Sequence, residues 1–225
     1  MISKTATILR GLGSTLKRNP NRFLKKVSGV IHVGANVGQE RKRYAVCGLR
    51  VVWIEPIPEV FETLKANLRD FPRQTALKCL VSDQDNVEYQ FHIASNEGES
   101  SSILDLNLHK DIWPKIVYER TIPLRSKTLP SLLKDEHVDH SEYDALVVDT
   151  QGTELLVLKG AVPILRNFTY IKTEATDFES YTDCCQLADM TSFLARHGFR
   201  EFCRNKWAAH PKGGGHYDIV YKREA

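Results

Sequence analysis

Four near-continuous apolar runs, Val30 to Val33, Val51 to Ile54, Ala76 to Val81 and Ala145 to Val148, constrain the fold of this chain most tightly. Strands buried on both faces of a parallel sheet read this way, because neither face meets water. Pro58 to Arg69 carries Val60, Phe61, Leu64 and Leu68 at helical spacing, and a shorter helix is predicted from about Gln39. Strand, helix, strand, helix, strand is the order of an α/β domain. Further on, Gly152 and Thr153 open a helix that Gly160 is expected to stop, and Tyr170 to Glu174 reads as another strand. Leu187, Met190, Leu194 and His197 share a helical stripe ended by Gly198, and Phe199 to Cys203 and Tyr217 to Tyr221 supply two last strands.

The middle of the chain follows a different rule. Val87, Tyr89, Phe91 and Ile93 alternate with polar residues, and Ile116, Tyr118, Arg120, Ile122 and Leu124 mark alternate positions of a second such strand. Alternation of this kind belongs to strands with one solvated face, so an antiparallel insertion is expected between the third and fourth core strands. The polar loop Asn96 to Ser102 lies within it. No Pro/Gly/Ser-rich stretch divides the 225 residues, so 28–225 reads as one domain behind a basic helical extension, 1–27.

Charge is uneven along the chain. Seven Lys or Arg and no acid fall between Met1 and Gln39, which leaves −4 of the net +3 to the remainder. Ile8, Leu12, Leu16 and Phe23 give that basic segment part of a helical stripe, read as a solvated helix packed across the domain. No run approaches the roughly 20 apolar residues that cross a bilayer, and no secretory block opens the chain, so a cytoplasmic location is expected. The five cysteines show no CxxC spacing, and neither a disulfide framework nor a zinc site follows. No metal site and no nucleic-acid partner are expected.

The first apolar run ends in VIHVGANVGQE, Val30 to Glu40. Gly34 and Gly38 follow the strand directly, where a turn without side chains lets backbone amides approach a ligand. The sequence lacks both the GK[ST] of a P-loop and the GxGxxG of a dinucleotide fold. Glu55 ends the second run 21 residues beyond Gly34, where a carboxylate accepts from the two hydroxyls of a ribose. Ser82 and Asp83, beyond the third run, are expected to face an adenine. Together these fit an adenosine ligand without a diphosphate. Asp149, ending the fourth run, either caps the next helix or faces the ligand, and strand carboxyl ends are where ligands sit in this architecture. Glu174 is similarly placed on the fifth, whereas Glu154 is accounted for by the helix dipole.

Those segments, with WIEPIPEVFETLKANL, SSSIL, SKTLPSLL, DALVVDTQGTELLVLKGA, YIKTEATDFESY and FLARHGF, resemble the FkbM family of class I S-adenosylmethionine-dependent methyltransferases, in the expected order over most of Val30 to Phe202. The resemblance implies a Rossmann-like seven-stranded sheet, S-adenosylmethionine as cofactor, and methyl transfer to a hydroxyl of a sugar or other small-molecule natural product. It also implies cofactor contacts from His32, Gly34, Asn36, Gly38, Glu55, Ser82 and Asp83, and acceptor contacts from Ser101, Ser102 and Glu174. Asp149 is the first candidate for the base that removes the hydroxyl proton. Two positions depart from the family pattern: His32 stands for its usual acid before VGAN, and Gln151 for the Glu of its acid-x-Glu-Gly. The rivals are a nicotinamide-dependent oxidoreductase and a catalytically silent cofactor-binding module. His109, His210 and His216 read as loop histidines, and Pro211 to Gly215 as a flexible connection suited to a lid.

Overall fold

The computed structural model describes residues 19–224. In chain order the elements are β1 (Gly29–Val33), α1 (Arg41–Val46), β2 (Arg50–Ile54), α2 (Pro58–Asn67), β3 (Gln74–Leu77), β4 (Leu80–Val81), β5 (Glu88–Ala94), α3 (His109–Ile112), β6 (Tyr118–Lys127) and α4 (Leu129–Asp135). They continue with β7 (Ala145–Val148), α5 (Glu154–Gly160), β8 (Tyr170–Thr176), α6 (Leu187–Arg196), β9 (Phe199–Ala209) and β10 (Gly215–Arg223). Seven strands form one sheet in the order β3-β2-β1-β7-β8-β10-β9. Neighbours from β3 to β8 are parallel, and β10 lies antiparallel between β8 and β9.

The apolar runs are continuous because each feeds two cores. Ile31, Val33, Val52, Ile54, Leu146 and Val148 pack on one face, against Leu129, Leu132 and Leu133 of α4, Val157 and Leu158 of α5 and Met190 and Leu194 of α6. Val30, Val51, Trp53, Ala145 and Val147 pack on the other, against Tyr44 of α1 and Leu64 of α2. Each such fully buried aliphatic side chain contributes about 1.5 to 3 kcal/mol. Of the expected N-terminal stripe, Ile8, Leu12 and Leu16 lie outside the described residues. Phe23 sits in a short 3₁₀ turn, Arg22–Lys26, buried with Leu24, its ring centroid 5.6 Å from that of Tyr170.

The third apolar run does not continue as one strand. Lys78 is exposed, and the chain leaves the main sheet there, so that Leu80 and Val81 pair instead with Ser126 and Lys127 of β6. With β5 antiparallel to β6 this makes the small insertion sheet, β4-β6-β5. Gly160 is the last residue of α5, where the stop was expected, and its missing side chain has a packing role as well. A Cβ there would stand 2.2 Å from the Ser82 carbonyl oxygen, so Gly160 is where the chain leaving β4 crosses the helix. Gly198 does follow α6, with a φ of +81°.

Candidate active site

The carboxyl ends of β1, β2, β3, β7 and β8 open on the same edge of the sheet, and the antiparallel hairpin brings two more groups there. His216, at the start of β10, pairs with Thr176 near the end of β8 and with Ala208 near the end of β9. A cavity of about 520 Å³ lies along this edge, roofed by the Asn96 to Ser101 loop and α3 of the insertion. Its size falls within the range of small-molecule sites.

At its β1 end the chain turns through Gly34, with a φ of +82°, and Asn36, at +45°. The Gly34 and Ala35 N–H groups both donate to the Ile54 carbonyl at 3.0 Å, and Asn36 N–H donates to Glu55 Oε2 at 2.8 Å. Glu55 Oε1 accepts from Ile57 N–H at 2.9 Å. Burial pushes the Glu55 carboxyl up to about 7, against the two backbone N–H bonds that favour its ionised form. Asn36 Nδ2 reaches the Glu97 carbonyl at 3.3 Å, tying the insertion loop to the turn. Gly34 is required for a reason besides ligand approach: a Cβ would stand 1.7 Å from the Asp149 carbonyl oxygen, so β7 uses the space. Gly34→Ala is therefore expected to lower the denaturant midpoint, with the left-handed φ alone costing about 1 to 2 kcal/mol. An unchanged midpoint would contradict that packing.

His32 lines the cavity on the face occupied by Tyr44 and Trp53. Its ring stacks on Trp53 at 4.8 Å, its Nδ1 lies 3.2 Å from the Tyr44 hydroxyl, and burial lowers its pKa to about 4. The imidazole is neutral, so it cannot replace the charge of an acid at this position.

At the β7 end, Asp149 lines the cavity and its Oδ1 accepts from Gln151 Nε2 at 2.7 Å. Gln151, at a φ of +54°, in turn accepts at Oε1 from the Tyr181 hydroxyl at 2.9 Å, which fixes the orientation of the amide. Burial raises the proton affinity of Asp149, opposed by the Gln151 amide and Lys172. Glu174 lines the same wall and is held well above the ordinary range by burial and then by the Asp149 and Asp218 charges. Glu154 does more than complement a helix dipole. It is buried, and its carboxylate accepts from Thr150 N–H at 2.9 Å and Gly152 N–H at 3.1 Å, holding the turn that presents Gln151. Among the described residues no group of three or more His, Cys, Asp or Glu is arranged to hold a metal ion.

Not every predicted residue reaches the cavity. Ser82 and Asp83 lie against Gly160 of α5, a consequence of the break at Lys78, and Cys79, Leu80 and Val81 line the wall in their place. Gly38 is absent from the lining, its missing side chain making room for Leu64 of α2. Ser101 lines the cavity, with its hydroxyl accepting from Ala94 N–H at 3.0 Å. Ser102 is set back, donating to the Gln151 carbonyl at 2.8 Å, so its work is to join the loop to the β7 turn. The Gly213 to Gly215 connection is a hairpin turn tied to Asp177, which accepts from Gly215 N–H at 2.7 Å and from the Tyr217 hydroxyl at 2.9 Å. Trp113, Ile116 and Trp207 were not anticipated. They line the cavity with His109 and His216, which proved to be wall residues rather than surface loops. Trp207 was missed because β9 runs on to Ala209, through the polar residues Arg204 to Lys206, beyond the end expected at Cys203.

The model of the methyltransferase FkbM domain matches residues 32–201. The chain belongs to the FkbM methyltransferase family. FkbM methyltransferases use S-adenosylmethionine, and the nicotinamide reading is thereby set aside. No curated protein matches the chain. Among solved structures it is similar to TrmK from M. capricolum in complex with S-adenosyl-homocysteine, with a TM-score of 0.52 at 5% identity over 91% of this chain and 67% of that one. The fibrillarin pre-rRNA processing protein of Methanococcus jannaschii gives 0.51 at 11% identity, over 90% and 69%. An O-methyltransferase from Bacillus cereus in complex with SAH gives 0.50 at 11%, over 89% and 76%. At these identities the likeness is one of fold, and it identifies the sheet of this FkbM protein as that of the class I methyltransferases. No helix among its described residues is long and apolar enough to cross a membrane.

Proposed function

We propose that this FkbM protein methylates a hydroxyl oxygen, holding the cofactor under β1 to β3 and the acceptor under β7 to β10. The residues fit the cofactor. Each Glu55 oxygen already accepts one backbone N–H, which leaves about two of its four acceptor sites for the two ribose hydroxyls. Ile57, Leu80, Val81 and Phe91 offer apolar walls for an adenine, in place of the polar tip expected at Ser82 and Asp83. S-adenosylmethionine, when bound, supplies an electrophilic methyl group on a sulfonium sulfur.

The observation that carries the reading is Asp149: a buried carboxylate at the cavity wall with raised proton affinity, held by an amide donor on one oxygen. Asp149 would take the proton of the acceptor hydroxyl, while the bound cofactor would supply the methyl group and keep the electron pair of its carbon–sulfur bond. A carboxyl whose pKa is raised toward the working pH is a better base than an ordinary one and is still ionised above that pKa. Methyl transfer should therefore be lost as pH falls through the Asp149 pKa. Gln151→Glu replaces a donor with a second carboxylate, and the acid limb of the rate profile is expected to move upward by about one pH unit or more. An unmoved limb would remove Gln151 from this role. Methyl-labelled S-adenosylmethionine tests the reaction itself, the label being expected on oxygen; label found only on nitrogen or carbon would refute it.

A further inference from the structure

The turn after β7 holds a backbone conformation that residues with side chains avoid. Gln151 has a φ of +54° and Gly152 one of +97°. Left-handed residues with side chains persist only where their surroundings over-determine them, and they gather at functional sites. This turn is held from several sides. Glu154 takes the Thr150 and Gly152 N–H groups, and Thr153 Oγ1 donates to the Thr150 carbonyl at 3.0 Å. Ser102 binds the Gln151 carbonyl, and the Tyr181 ring closes over Gly152, where a Cβ would stand 3.1 Å from Cδ2. The residue so presented to the cavity is Gln151.

Its amide lies between Tyr181 and Asp149. Tyr181 is buried and does not line the cavity, so it acts there through Gln151. Its single hydroxyl proton has a near acceptor, Gln151 Oε1 at 2.9 Å, and a distant one, the Ser100 carbonyl at 3.4 Å. Burial holds the phenol well above its ordinary range, so the donor stays protonated at any working pH. With Oε1 occupied in this way, Nε2 is turned to Asp149 Oδ1, to which it donates at 2.7 Å. A reversed amide would set Oε1 against Oδ1, acceptor against acceptor, unless Asp149 carried a proton. Asp149 Oδ2 has no hydrogen-bond partner among the described residues and is not sealed from solvent, so it opens on the cavity.

We propose that Tyr181 is a positioning residue for methyl transfer: through Gln151 it commits Asp149 Oδ1 to an amide donor and leaves Oδ2 as the oxygen that takes the acceptor's hydroxyl proton. The proposal rests on the reading of Asp149 as the base. The bond at Oδ1 favours the ionised carboxylate, and a fixed amide denies a protonated Asp149 the Oε1 acceptor it would otherwise find. That bond matters because the other charges facing Asp149 largely oppose its ionisation. Glu174 of β8, Asp218 of β10, Glu154 of α5 and Glu40 ahead of α1 are all acids, and Lys172 of β8 is shared with Asp218 at 3.0 Å. His32 of β1 and Tyr44 of α1 are neutral.

The full chain, labelled with ¹³C at aspartate Cγ and saturated with S-adenosylhomocysteine, provides a test by NMR titration that needs no acceptor. Asp149 is identified as the carboxyl signal lost in Asp149→Asn. Tyr181→Phe keeps the ring over Gly152 and removes only the hydroxyl, and Gln151→Met keeps an unbranched side chain of similar length without the amide. Each is expected to raise the Asp149 midpoint by about half a pH unit or more, with S-adenosylhomocysteine affinity unchanged. In Gln151→Met, adding Tyr181→Phe should move the midpoint no further, because the hydroxyl acts only through the amide. A midpoint unmoved by either single substitution, or a further shift of equal size in the double variant, would overturn the proposal. Wild-type methyl transfer by Asp149→Asn, with the midpoints shifting as expected, would instead overturn the base reading and leave the orientation of Asp149 by Tyr181 standing.

Discussion

Asp149→Asn is expected to slow methyl transfer by about 100- to 10,000-fold, the usual contribution of a general base, while the affinity for S-adenosylmethionine is unchanged. The substitution keeps the size of the side chain and one acceptor oxygen, and with it the bond from Gln151 Nε2. It removes the basic oxygen. The backbone N–H of Asp149 still donates to the Val33 carbonyl at 2.9 Å, so the β1–β7 ladder and the Gly34 turn are undisturbed. Single-turnover transfer and calorimetry of the cofactor, run on the same preparation, separate the two effects. Wild-type transfer would reduce Asp149 to a wall residue, and lost cofactor affinity would move it to the other half of the cavity.

Glu55→Ala should weaken S-adenosylhomocysteine by about 1.5 to 3 kcal/mol, the range for hydrogen bonds to a charged acceptor. It also strips Asn36 and Ile57 N–H of their acceptor, so Glu55→Gln, which keeps one acceptor oxygen, is the gentler companion. A pH signature accompanies this. The Glu55 carboxyl is raised from 4.5 to about 7, and the ribose hydroxyls need it ionised, so affinity should rise with pH through about 7 as a proton is released. In the cofactor-free protein the sign is opposite. Folding holds that proton to higher pH than the unfolded chain does, so the stability it contributes is full below 4.5 and is lost as pH rises from 4.5 to about 7. Calorimetry in buffers of different ionisation heat reads the proton directly, and its persistence in Glu55→Gln would assign it to another group.

The core of the fold was legible because its physics is local. Val30 to Val33, Val51 to Ile54 and Ala145 to Val148 are apolar on both faces, as they pack into two cores, and the alternation of β5 marked a solvated sheet. The glycine turn and the Glu55 carboxylate were legible as neighbours at adjacent strand tips, and both line the cavity, because each is set by the sequence near it. Ser82 and Asp83 fall outside the lining because the chain leaves the main sheet at Lys78 and pairs with β6, and an apolar run does not reveal which sheet will take it. The aromatic end of the cavity was hidden for a different reason. Trp113 and Trp207 are 94 residues apart and meet only because β10 runs antiparallel between β8 and β9 and returns the hairpin to the strand tips. The tie between Gln151, Tyr181 and Asp149 is equally a product of tertiary contact, although the departure at Gln151 was visible from the start.

The most direct test of this division of the cavity is a crystal structure with S-adenosylhomocysteine bound. It should show both ribose hydroxyls within hydrogen-bond distance of the Glu55 carboxylate, the adenine between Ile57 and Leu80, and the sulfur turned toward Asp149. A ribose held away from Glu55, or a sulfur facing away from Asp149, would contradict it.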